Sequence, residues 1–319
     1  MGGCGDDRET SSGREENDIL GLESAATETG TADSGIIAEP EAEADPETEA
    51  ELPLEYVEPA ATDFEYNYDA VLGGVVITKY NGEAEAIRIP AEIDGEPVKG
   101  VGCKDNSSIT HIELPDGITS IGEQAFAYCS YLTEITIPDS VTSIGDGAFF
   151  RCSRLTEITI PDNVTSIGAA AFAECRSLTE ITIPDSVTSI GKRAFAECSS
   201  LMEITIPDNV TSFGGAVFAG CSSLTEITIP DSVTSLESIM ITGIVTGAFQ
   251  GCSSLTEITI PDSVTSIGGN AFKDCSSLRN ITIPDNAKIE ANAFEGCNGL
   301  TVTYQGQEYN YANDPNHWW

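Results

Sequence analysis

The chain has 319 residues, and its 52 acidic side chains outnumber 14 lysines and arginines to give a formal net charge of -38. Such a field repels nucleic acid and anionic lipid headgroups, which excludes a nucleic-acid partner and direct adsorption to a membrane surface as expectations. No stretch approaches 18 consecutive apolar residues, so no membrane-spanning helix is predicted.

The first segment, residues 1–63, reads as an acidic tether. It is rich in Glu, Asp, Thr, Ala, Ser and Pro, as in Ala38-Glu39-Pro40-Glu41-Ala42-Glu43. With few large apolar groups it cannot offset its own chain entropy, and a disordered, extended spacer is predicted. Met1-Gly2-Gly3-Cys4 runs at once into Gly5-Asp6-Asp7, without the apolar core of a signal peptide. Cys4, preceded by a small residue and followed by polar sequence, resembles the lipidated cysteine of a bacterial lipoprotein. An exposed cysteine of no consequence is the alternative. Asp6 breaks the pattern that myristoylation at Gly2 would need.

From residue 64 to 105 the composition changes. Phe64-Glu65-Tyr66-Asn67-Tyr68 and Val75-Val76-Ile77-Thr78-Lys79-Tyr80, separated by Gly73-Gly74, predict a β-hairpin, placed where an array needs its first open face covered. A degenerate first coil follows, from Ala86-Ile87-Arg88-Ile89-Pro90 to about Cys103.

Residues 106–304 are a tandem repeat. Cys129, Cys152, Cys175, Cys198 and Cys221 stand 23 residues apart, followed by Cys252, Cys275 and Cys297. A fixed period in this range marks a stacked solenoid, because one unit cannot bury its own apolar face. In each unit Leu-Thr-Glu-Ile-Thr-Ile-Pro reads as a strand, with Ile135 and Ile137 inward and Glu134 and Thr136 outward by the two-residue period. Pro138 ends the strand, and Asp139-Ser140 is predicted to cap the turn with its side-chain oxygens. Val141 and Ile144 form the next inward pair, Gly145 is predicted to take the positive φ of a second corner, and Ala148, Phe149 and Cys152 have helix-like spacing. The expected class is therefore an α/β leucine-rich-repeat solenoid, with a parallel sheet on one face and short helical or irregular turns on the other.

The strand L-x-x-I-x-I followed by I-P-x-x-V-x-x-I-G-x-x-A-F-x-x-C resembles the BspA-type (Treponema-type) leucine-rich repeat family, over about residues 80 to 304. The resemblance implies a bacterial or protozoan cell-surface protein that acts in adhesion and protein binding and whose repeats do no catalysis.

Two outward files follow from the repeat. Glu134, Glu157, Glu180, Glu203, Glu226 and Glu257 form one, and Thr136, Thr159, Thr182, Thr205, Thr228 and Thr259 the other. At about 4.8 Å between strands the carboxylates repel one another. This face is the expected site for a protein ligand, with weak divalent-cation binding as an accessory. Between Cys221 and Cys252 the repeat is lengthened by eight residues, and the insertion is apolar: Ile239, Met240, Ile241 and Ile244 either form an exposed contact loop or a strand pair packed on the coil's own side.

The cysteine file reads as buried free thiols, since no pair has C-x-x-C spacing and the two histidines, His111 and His317, have no second ligand nearby in sequence. No nucleophile elbow, phosphate loop, dinucleotide fingerprint or zinc motif occurs, so no enzyme, cofactor or metal centre is expected. Residues 305–319, with Tyr309, Tyr311, Trp318 and Trp319, are expected to fold back as a C-terminal cap or to remain a tail. The sequence thus points to a surface or extracellular binding solenoid, with an intracellular interaction scaffold as the alternative.

Overall fold

A computed structural model of the chain describes residues 55–310. Cys4, most of the acidic tether and residues 311–319 lie outside the described residues.

The repeats are coils of a parallel β-solenoid. In the coil from Leu132 to Arg154, Glu134–Thr136 is a strand. Ile135 points inward with 4% exposure, while Glu134 and Thr136 are exposed. Pro138 closes the strand and accepts a hydrogen bond from Val141 N–H at 3.1 Å. The Asp139-Ser140 corner is not capped as expected: Ser140 Oγ reaches across to donate to the Ile118 carbonyl of the preceding coil at 2.6 Å. Among the described residues no carboxylate of the file from Asp139 to Asp285 is recorded in a hydrogen bond with its turn. Stacked coils place a carbonyl closer to each hydroxyl than any local N–H.

A second parallel ladder follows the corner. Ser143–Ile144 pairs in register with Ser120–Ile121 on one side and Ser166–Ile167 on the other. Five such two-residue strands form one sheet from Ser120 to Phe213, and three more form another from Ser235 to Ile289. Two-residue strands carry too little alternation to be recognised in a sequence.

The third side is built of turns; the 3-10 turn Ala61–Asp63 is the one helical element among the described residues. Ala148, Phe150 and Cys152 donate to carbonyls three residues back, whereas Gly147, Phe149 and Arg151 donate to Ala169, Ala171 and Ala173 of the next coil. Left-handed residues at Gly147 (φ 61°) and Arg151 (φ 62°) interrupt any i to i-4 run, so of the two expected alternatives, helical or irregular turns, this side takes the irregular one. Gly145 is not left-handed. It is required by proximity, because a Cβ there would lie 2.8 Å from Gly122 C and Glu123 N.

Inside, the phenylalanines of successive coils stack: Phe149 lies 5.2 Å from Phe172 at an interplanar angle of 4°, and Phe249 lies 5.4 Å from Phe272. Each offset pair adds about 0.5–1.5 kcal/mol beyond its buried area. Beside them nine cysteines from Cys103 to Cys297 are buried and unbridged. Cys175 Sγ donates to the Phe149 carbonyl at 3.2 Å, and Cys198 Sγ to that of Phe172 at 3.1 Å. The small thiol fills the corner and satisfies a carbonyl of the neighbouring coil.

Before the repeats, Phe64–Asp69 and Gly74–Tyr80 pair antiparallel, and the second of these strands pairs parallel with Glu96–Val101. At the other end Thr301–Tyr304 turns through Gln305 and Gly306, both left-handed, into a further antiparallel strand, Gln307–Asn310.

Candidate binding face

The solenoid register converts the outward sequence files into real columns. Glu180, Ile181 and Thr182 lie opposite Glu203, Ile204 and Thr205, and Glu226 and Thr228 lie opposite Glu257 and Thr259. Glu134 lies opposite His111, and Thr159 bridges to Thr182. All six glutamates and six threonines of the two files are exposed. The inward isoleucines, 4–6% exposed, hold the strands in phase: slipping the register by one residue would bury the carboxylates.

The two ends of the face differ from its middle. At the N-terminal end Val57 bridges to Ile87, Arg88 bonds Glu113 at 2.8 Å, and His111 Nε2 lies 3.8 Å from Glu134 Oε2. Asn280 replaces the glutamate at the C-terminal end and lies opposite Thr301. Between these ends Glu157, Glu180, Glu203, Glu226 and Glu257 are recorded in no ion pair or hydrogen bond among the described residues. They form an uncompensated acidic stripe.

The ladder is interrupted between Glu203–Thr205 and Glu226–Thr228, which belong to separate two-stranded sheets. A recess of about 420 Å³ opens there, lined by Glu203, Thr205, Glu226, Thr228, Glu257 and Asp208, among others. Asp208 stands at the repeat position of Asp139, which the sequence reads as a turn cap. It lies just past the Glu203–Thr205 strand on the same coil and lines the recess with it. His111 stands at the head of the glutamate file, one repeat period before Glu134, where the register places it.

The insertion forms an antiparallel pair, Ile239–Ile241 with Ile244–Thr246, through a left-handed Thr242-Gly243 turn. The strand pair packs partly on the coil and leaves one edge exposed. Ile239 is half-buried and joins Phe150 and the alanines at 170, 173, 196, 216 and 219 in a small outer cluster. Met240, Ile241 and Ile244 are 71%, 41% and 66% exposed. Among the described residues no cluster of side chains suited to a metal ion occurs, and no helix is long and apolar enough to cross a membrane.

The family model described as a BspA type leucine rich repeat region, in six copies, matches residues 101–169, 144–244 and 242–313. The chain belongs to this family. The repeat fold of BspA-type proteins is typically non-enzymatic. Among solved structures the chain is similar to a leucine-rich repeat protein from Bacteroides ovatus, with 28% identity and a TM-score of 0.66 over 79% of this chain and 71% of that one. It is also similar to the leucine rich repeat protein of T. pallidum, with 28% identity and a TM-score of 0.48 over 70% and 91% of the two chains. A leucine rich cell surface protein from Faecalibacterium prausnitzii matches at 26% identity and a TM-score of 0.35, over 80% and 96%. No curated protein sequence matches the chain.

Proposed function

We propose that this BspA-type chain is a non-enzymatic surface or secreted protein that binds a protein partner, in adhesion, through the Glu/Thr face. The observation that carries the reading is the set of five unpaired, exposed carboxylates from Glu157 to Glu257, of which Glu180 faces Glu203 and Glu226 faces Glu257 in parallel ladders. Like charges opposite one another cost stability, and a partner presenting lysines or arginines relieves that cost on docking. The recess at Glu203, Glu226 and Asp208 is the natural seat for its leading basic side chain. The exposed edge of the insertion, at Met240, Ile241 and Ile244, is a second contact. Lipidation at Cys4 would hold the array at the cell surface through the acidic tether, and divalent cations would bind weakly along the glutamate file.

The test has two arms. Protease applied to intact source cells releases fragments of residues 64–319 while cytosolic controls stay whole; protection until lysis would overturn the surface assignment. Then the chain and its Glu180→Gln, Glu203→Gln, Glu226→Gln variant are compared on immobilised extracellular proteins at low and high salt. Binding that falls at least tenfold in the variant, and with salt, is expected; equal binding would remove this face from the function. Calorimetric titration with calcium, giving no heat, would remove the cation component.

A further inference from the structure

Against a net charge of -38, cationic and aromatic side chains gather on three adjacent coils. Arg151 Nε and an Arg176 amino group donate to the same Glu174 oxygen at 3.0 and 3.1 Å, so two guanidiniums share one carboxylate. Arg151 also lies 5.5 Å from the Tyr128 ring centroid and 5.2 Å from that of Phe150, and these two rings meet edge to face at 5.3 Å. In the neighbouring file Arg154 lies 4.3 Å from the Tyr131 centroid. Arg154 is exposed and is recorded in no ion pair or hydrogen bond among the described residues.

None of these residues is demanded by the repeat. Alanine stands at the Phe150 position in the coils on either side, as Ala127 and Ala173, and serine at the Arg154 position in the next two, as Ser177 and Ser200. The cluster therefore carries a local excess of positive charge beside two tyrosines that are 39% and 43% exposed. A guanidinium stacked on a ring keeps its in-plane N–H donors free for a carboxylate or sulfate fork.

The backbone narrows the class of ligand. Tyr128 N–H is committed to the Phe150 carbonyl at 2.7 Å, Arg151 N–H to Ala173 at 2.9 Å, and Phe150 N–H to Gly147 at 2.9 Å. These donors are taken, so an extended acidic peptide cannot be held here by strand addition. A long polyanion or an anionic membrane would extend over the acidic surfaces around the patch and be repelled by the carboxylates it comes within a screening length of about 8 Å of. A short ligand with one localised negative charge and a ring face for the tyrosines meets neither obstacle.

We propose that Tyr128, Tyr131, Arg151 and Arg154 form a subsite for an acidic saccharide, the terminal carboxylated sugar of a glycan, with Arg154 as its carboxylate anchor and the tyrosines as platforms. The full chain is titrated with 3′-sialyllactose and with lactose, by calorimetry and saturation-transfer NMR. Sialyllactose binds at least about tenfold tighter than lactose, Arg154→Gln lowers its affinity by about tenfold or more, Tyr131→Ala weakens it comparably, and the remote Arg279→Gln leaves it unchanged. Both substituted side chains are exposed, and unchanged thermal melts verify that the variants fold. Equal affinity for the two sugars, indifference to Arg154→Gln, or Arg154-dependent capture of a glutamate-rich peptide or phosphatidylserine vesicles without sialyllactose binding would each overturn the assignment.

Discussion

Gly122 and Gly145 occupy the same position of successive coils, yet a methyl group added to each meets a different environment. At Gly145 the new Cβ lies 2.8 Å from the Gly122 carbonyl carbon, and at Gly122 nothing lies within 4 Å. Gly145→Ala is therefore expected to cost about 1–3 kcal/mol through forced separation of two coils, and Gly122→Ala no more than about 0.5 kcal/mol. Denaturant titration of the two variants checks the contrast. The cysteine file makes a second prediction. Burial pushes the thiols of Cys198 and Cys252 up to about 12, against an ordinary value of about 8.5. Below about pH 8.5 both states keep the proton. Above it the unfolded chain ionises while the folded one cannot, so stability falls as pH rises towards 12, by about 1.4 kcal/mol per pH unit per thiol. Denaturant titrations under reductant at several alkaline pH values should show this slope. Cys198→Ala with Cys252→Ala should make it shallower; an unchanged slope would mean that other groups carry it.

Among the elements, the insertion is the one that leaves the repeat. Its strands lie over Gly215, where a Cβ would come 2.7 Å from Ile239 Cγ2, and Asn270 Nδ2 holds the Val245 carbonyl at 2.7 Å. These ties make the hairpin a fixed projection with an apolar outer edge. Leu236 and Ala248 on either side of the insertion are buried in the coil as their counterparts in other repeats are, so the hairpin is expected to be dispensable to it. Replacing residues 237–247 with Gly-Gly-Asn, the linker of the following coil, should leave a cooperative melt within a few degrees of the parent. The same replacement should reduce binding of an apolar dye by removing Met240 and Ile244. A collapse of the melt would show instead that the hairpin supports the coils beneath it.

At the scale of the whole molecule, the glutamate file is a stability cost borne along the face. Each directly opposed carboxylate pair destabilises by about 0.2–1 kcal/mol. Glu203→Gln combined with Glu257→Gln should therefore raise the melting temperature at low salt, and the gain should shrink at 1 M salt as screening shortens to about 3 Å. A melting temperature that falls in the double variant would mean that the file is compensated in solution. The result bears on binding, since a face that is strained when empty is the one that gains when a basic partner arrives.

The repeat period, the inward isoleucines and the outward Glu and Thr files are all legible in the sequence, because a solenoid reuses one local solution and each coil packs against near copies of itself. The period of two in Glu134-Ile135-Thr136 and the 23-residue spacing of the cysteines carry that information without any long-range contact. The hydrogen bonds from Ser140 and from the thiols to the preceding coil are not legible. Nor are the reason for Gly145, the Ser-Ile ladder and the recess that gathers Asp208. Each depends on which atom of one coil lies above which atom of the next, a distance set by stacking that no residue encodes alone.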